Sequence, residues 1–119
     1  MRLMAKSQPT ISRRSKYNAK PTYVDGIRFD SKREARRYKE LTLLLRIGEI
    51  RALELQPKYD LMCNGQKIGF YKADFRYVDQ AGKTVVEDVK SGPTATPVYR
   101  LKKRILATQT PPVVITEVY

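Results

Sequence analysis

Asp88 and Lys90 stand two residues apart in the valine-rich run Val85-Val86-Glu87-Asp88-Val89-Lys90. Read as a β-strand, this run puts Val86, Asp88 and Lys90 on one face and Val85, Glu87 and Val89 on the other. An acid and a lysine among valines are costly unless they pair or bind something. A second strand-like run, Phe70 to Val78, has Asp74 at its centre, and Asp79-Gln80-Ala81-Gly82 reads as the turn that joins the two in an antiparallel hairpin. Such a hairpin brings Asp74 toward Asp88. Two carboxylates beside a lysine are the parts of a divalent-metal phosphoryl-transfer site. Mg²⁺ takes oxygen ligands and keeps several waters, so a protein needs to give only two or three carboxylates. Asp74 and Asp88 meet that number, the Val89 carbonyl can add a backbone ligand, and Lys90 can orient water or stabilise developing phosphorane charge. A bare Asp-x-Lys triplet is more often a structural ion pair; the signal here is the acid on the preceding strand and the helices on either side.

Glu34 is a third candidate acid. The spacing predicts a helix from about Lys32 to Ile47, with Ser31 as N-cap and Gly48 past its end. Glu34, Tyr38, Leu41 and Leu45 fall on one face of it. Ser31-Lys32-Arg33-Glu34 is also a capping box, and spacing alone favours that role over metal ligation. Before the helix, Asp25-Gly26 is the turn of a short hairpin between Thr22-Tyr23-Val24 and Ile27-Arg28-Phe29. After it come a strand over Glu49 to Leu55, a hairpin about Asn64-Gly65 (Tyr59 to Cys63, Gln66 to Phe70), and the runs through Asp74 and Lys90. Thr96 and Pro97 open a second helix whose expected apolar face is Val98, Leu101 and Ile105 with Leu106. The last strand is expected over Val113 to Val118.

Charge narrows the partner. Lys and Arg number 24 against 12 Asp and Glu, a net +12 on 119 residues, which points to a polyanion and above all nucleic acid. Residues 1–48 hold 13 basic and 4 acidic side chains, whereas residues 49–90 are balanced at 7 and 7. The phosphate-binding candidates are Arg13, Arg14, Lys16 and Lys20 in a flexible basic arm (residues 1–15) and its margin, Arg33, Arg36 and Arg37 on the first helix, and Lys102 and Lys103 on the second. There is no histidine and a single cysteine, Cys63, which excludes histidine-based triads, histidine zinc sites and an internal disulfide. The Met1–Ala5 run is too short for a signal core and no stretch approaches a membrane span, so a cytoplasmic protein without a membrane partner is expected.

The order helix, three or four strands, helix, strand, with Asp74 and then Asp88-x-Lys90, resembles the PD-(D/E)XK nuclease superfamily. Lys16-Tyr17-Asn18-Ala19-Lys20, Phe29-Asp30-Ser31-Lys32-Arg33-Glu34-Ala35, Leu55-Gln56-Pro57-Lys58, Ala73-Asp74-Phe75 and Val86-Glu87-Asp88-Val89-Lys90 resemble a family of small phage and prophage proteins similar to endonuclease I-type Holliday-junction resolvases. The resemblance covers roughly residues 16 to 118. It implies an α/β domain over 16–119 with a restriction-endonuclease-like core, a mixed sheet flanked by helices. It implies Mg²⁺-dependent cleavage of DNA, branched DNA included, with Mn²⁺ able to substitute, by a homodimer in a bacterial host cell. Asp74 and Asp88 become metal ligands, Lys90 the catalytic lysine, and Glu34 the helix acid of resolvase-like members. Ala73 stands where such motifs often carry proline. The rival readings are a non-catalytic nucleic-acid-binding protein and a basic assembly protein.

Overall fold

Paired positive φ values at Asp25 and Gly26 (53° and 76°) and at Asn64 and Gly65 (51° and 78°) close two tight hairpins. Both dipeptides tolerate the left-handed region that a two-residue turn needs, so each turn is written into the sequence. These hairpins are β1 (Thr22–Val24) with β2 (Ile27–Phe29), and β4 (Lys58–Cys63) with β5 (Gln66–Lys72). The structure, a computed structural model, describes residues 21–90 and 96–119. The expected basic arm, with Arg13, Arg14, Lys16 and Lys20, lies outside the described residues. The chain divides into two compact units, one ending at Lys39 and one running Glu40–Tyr119.

The first unit holds β1, β2 and the opening of helix α1 (Lys32–Arg46). Ser31 caps the helix as its spacing requires: its Oγ accepts the Glu34 amide at 3.2 Å. Phe29 and Tyr38 meet with ring centroids 5.0 Å apart, and the Tyr38 hydroxyl donates to Asp25 at 3.4 Å. Burial, then the Asp25 charge, holds the Tyr38 phenol above its ordinary pKa.

In the second unit α1 ends in a paired cap. The Gly48 amide donates to Leu45 and the Glu49 amide to Leu44, with Gly48 at φ 85°. The buried stripe of α1 is Ala35, Tyr38 and Leu41; Leu45, expected to continue it, is 40% exposed, and Leu43 and Ile47 are more exposed still. Periodicity sets the direction of an apolar face but not how far a neighbour extends to cover it.

Four strands form the central sheet in the order β3 (Ile50–Leu55), β6 (Phe75–Asp79), β7 (Thr84–Val89), β8 (Ile115–Val118). β3–β6 and β6–β7 are antiparallel and β7–β8 parallel, so the sheet is mixed. Helix α2 (Pro97–Ala107) makes the crossover into β8. Thr96 caps it, accepting the Tyr99 amide at 3.1 Å, with Pro97 at the first helical position. One sheet face carries Val86 and Ile115, clustered with Leu61, Tyr71 and Ala73 from the β4–β5 side and Tyr99 and Leu106 from α2. Phe75 and its partner Glu87 share the opposite face, where the Tyr77 hydroxyl donates to a Glu87 that is 1% exposed.

Three sequence expectations are corrected. The run Phe70 to Val78 is not one strand. It divides into β5 and β6, and Asp74 sits at the break rather than at a strand centre. The backbone changes partners there: Ala73 donates to Pro57, and Asp74 donates to Glu87. Hydrophobic alternation persists through the break, which hides it in the sequence. The buried face of α2 is Tyr99 and Leu106, whereas Val98 and Leu101 are exposed. Tyr99 turns inward because its ring and hydroxyl have polar partners there that a leucine could not satisfy. The last strand begins at Ile115 rather than Val113. No helix among the described residues is long and apolar enough to cross a membrane.

Candidate metal and phosphate site

Asp74 is positioned by the strand break. Gln56, at φ 52°, donates its amide to the Asp74 carbonyl at 2.9 Å, and the Asp74 amide donates to Glu87 at 3.0 Å. With its backbone held on both sides, Asp74 directs Oδ2 onto the Val89 amide at 2.7 Å. Its carboxylate thus rests against the Asp88–Val89 peptide. Val89 enters this contact through its N–H.

Asp88 gathers two donors on a single oxygen. The Tyr71 hydroxyl donates to Oδ2, and Lys90 Nζ lies 3.3 Å from the same atom. Among the described residues Oδ1 receives no hydrogen bond or ion pair, although the side chain is only 14% exposed. Lys90 is 11% exposed, its amide donates to Val118 at 2.7 Å, and its Nζ sits 3.3 Å from the centroid of the Tyr99 ring. The ring face attracts the ammonium while shielding it from water. Burial first, and then the bond to Asp88, raises the Tyr71 phenol far above its ordinary range; burial and then the bond to Glu117 does the same for Tyr99. Both hydroxyls therefore stay protonated and serve as donors.

Beyond Tyr99 the network continues. Its hydroxyl donates to Glu117 Oε2 at 2.8 Å, and Lys103 reaches the same oxygen at 3.1 Å. The Tyr99 bond first, and Lys103 next, hold the Glu117 carboxyl below its ordinary value of 4.5. A depressed acid pKa contributes stability above the unfolded value and loses it as pH falls through the folded value. Glu117→Gln is therefore expected to cost on the order of 1 kcal/mol at neutral pH. It is also expected to flatten the loss of stability below about pH 4.5, measured by urea unfolding across acid pH. An unchanged acid limb would deny the network this role.

The remaining candidates are distributed as follows. Glu34 belongs to the first unit, half-buried in the opening turn of α1, with its amide on Ser31. Arg33 and Arg36 are exposed and Arg37 is half-buried. Lys102 is half-buried near Phe70, and Lys103 is committed to Glu117. Among the described residues no three His, Cys, Asp or Glu side chains cluster to hold a metal. Mg²⁺ does not require three, since one or two carboxylates commonly suffice beside waters and substrate phosphate. The hard oxygens of Asp74 and Asp88, with the open Oδ1, have the donor chemistry for it.

Sequence reasoning missed Tyr71, Tyr99 and Glu117. One signal was present: eight tyrosines and no histidine or tryptophan in 119 residues. Tyr38, Tyr71, Tyr77 and Tyr99 each place a hydroxyl on a carboxylate. In this chain tyrosine supplies the neutral donors that position acids.

No curated protein and no solved structure matches this chain. A family model described as "Protein of unknown function (DUF1064)" matches residues 14–118, and over that span, which takes in Asp74, Asp88 and Lys90, the chain belongs to this family.

Proposed function

We propose that the protein is a Mg²⁺-dependent endonuclease of the PD-(D/E)XK type that hydrolyses phosphodiester bonds in DNA, branched junctions included. The observation that carries this reading is the half-used carboxylate of Asp88: Tyr71 and Lys90 share Oδ2 and leave Oδ1 open on a largely buried side chain, with Asp74 fastened to the next peptide. A carboxylate oxygen without a protein partner on so little exposed a side chain is costly unless water or a ligand satisfies it. The order α1, β3, β6, β7, α2, β8, with β4–β5 inserted, supports a restriction-endonuclease-like core.

Asp74 and Asp88 would hold the metal. Bound Mg²⁺ supplies charge neutralisation at the phosphate and activation of water near neutral pH. Tyr71 locks the Asp88 rotamer so that Oδ2 stays engaged and Oδ1 stays available. Lys90, held between Asp88 and the Tyr99 ring, can donate a hydrogen bond from Nζ to a non-bridging phosphate oxygen as charge develops. Exposed Arg33, Arg36, Arg100 and Arg104 add phosphate-binding charge. Homodimerisation and the preference for branched DNA rest on the sequence resemblance, as does the assignment of Glu34 to the metal.

The test incubates linear, single-stranded and four-way DNA with the protein in Mg²⁺ and in chelator. Cleavage of the four-way substrate in Mg²⁺ and none in chelator is expected; no cleavage of any substrate, or cleavage in chelator, would overturn the reading. The closed Tyr71–Asp88–Lys90 contact favours a second reading, a non-catalytic nucleic-acid-binding protein in which this cluster is structural.

Glu34 separates its two roles by chemistry. Gln keeps the capping hydrogen bond, so a cap alone leaves Glu34→Gln near wild type. As a ligand, its replacement is expected to reduce the Mg²⁺-dependent rate by about 10²-fold or more and to shrink the stabilisation that Mg²⁺ confers in thermal melts. Normal turnover with a normal metal response returns Glu34 to the cap.

A further inference from the structure

Strand β5 points in two directions at once. Tyr71 turns inward to Asp88, while Phe70 and Lys72 alternate to the outer face of the β4–β5 hairpin. Phe70 is 45% exposed there. Lys58 lies directly opposite Lys72 in the register, so two like charges face one another across the ladder, an arrangement that destabilises the bare hairpin. Lys58 Nζ stands 4.4 Å from the Phe70 ring centroid, and Lys102 reaches from α2 to 5.8 Å. Among the described residues none of Lys58, Lys72 and Lys102 makes an ion pair. Asp60, the acid opposite Phe70, is occupied by Lys67 at 3.3 Å.

We propose that this face is a stacking platform for the unpaired bases of a nucleic-acid strand, with Phe70 as the stacking surface and Lys58, Lys72 and Lys102 holding the flanking phosphates. Among the described residues, three cations without acidic partners, two of them at an exposed ring and the third on its strand face, call for a ligand that carries both negative charge and flat aromatic faces. An acidic peptide offers the charge without the faces. A duplex offers the charge but hides its base faces in the stack, whereas single strands expose both. The platform shares two elements with the candidate site: Tyr71 is next to Phe70 on β5, and Tyr99 is one turn before Lys102 on α2. The inference rests on the nucleic-acid partner of the proposed function and not on the cleavage step.

The chain has no tryptophan, so Phe70→Trp creates a lone reporter while keeping a ring in place. Its emission is followed during titration with a base-bearing DNA strand, a base-bearing RNA strand, an abasic strand and a blunt duplex, each of about 15 nucleotides, near the upper end of known site sizes. Quenching by one or both base-bearing strands, and by neither the abasic strand nor the duplex, is expected; the DNA and RNA arms identify the source of the bases. Phe70→Ala is expected to weaken binding of the base-bearing strand by about tenfold, with abasic-strand binding unchanged. A base-bearing strand that binds without quenching, a Phe70→Ala variant that binds it as wild type does, or a wild type that binds no single strand would each overturn the platform. Mg²⁺-dependent cleavage of four-way DNA is scored on the wild type alongside. Cleavage without quenching rejects the platform and leaves the nuclease; quenching without cleavage does the reverse.

Discussion

Asp88→Asn is expected to reduce Mg²⁺-dependent cleavage by about 10³-fold or more while DNA affinity holds or rises. Asparagine preserves the shape of the side chain and an acceptor for the Tyr71 hydroxyl, so the contact that fixes the rotamer survives. It removes the negative charge that would neutralise a cation and replaces one hard anionic oxygen with an amide. Loss of an anion near the phosphate path also removes a repulsion, which is why binding should not fall. Thermal melts provide a readout separate from turnover. Mg²⁺ at about 100 times its dissociation constant stabilises a binding protein by about 2.7 kcal/mol, and that increment should largely vanish in the variant. Turnover and metal response both at wild-type levels would remove Asp88 from the site.

Lys90→Met is expected to destroy activity to a similar degree and to weaken the apo fold by about 2 kcal/mol. Lys90 and Asp88 are 11% and 14% exposed, so removing the ammonium leaves a carboxylate in a poorly hydrated place with Tyr71 alone, among the described residues, to satisfy it. The methionine stem still covers the Tyr99 ring, so the loss reports charge rather than packing. The double variant Asp88→Asn with Lys90→Met is expected to recover part of that stability, because neither charge is then buried alone; the coupling should be about 1–2 kcal/mol. Strict additivity in urea unfolding would show that the two side chains do not act as a pair.

Local chemistry made much of the scaffold legible. Asp25-Gly26 and Asn64-Gly65 are short dipeptides that accept the left-handed backbone of tight turns, and the structure closes both hairpins there. Ser31, Gly48, Thr96 and Pro97 mark helix ends because each satisfies or tolerates a terminal backbone group, and the helices start and stop beside them. Strand parity separated Asp88 from Glu87, since alternation is a property of the strand alone. Charge imbalance and the absence of histidine were likewise fixed by composition.

What the tertiary structure decided is where the chain changes partner. No local signal breaks the run from Phe70 to Val78; the break appears because β5 pairs with β4 and β6 pairs with β3 and β7, and a strand cannot serve both sheets without turning at Asp74. The buried face of α2 was decided in the same way. Val98 and Leu101 form as good an apolar arc as Tyr99 and Leu106 by period, but only Tyr99 can cover the Lys90 ammonium with its ring and reach Glu117 with its hydroxyl. Helical and strand periods follow from the backbone and can be read residue by residue. The choice between two equivalent faces depends on residues far along the chain, which meet only once the sheet has assembled.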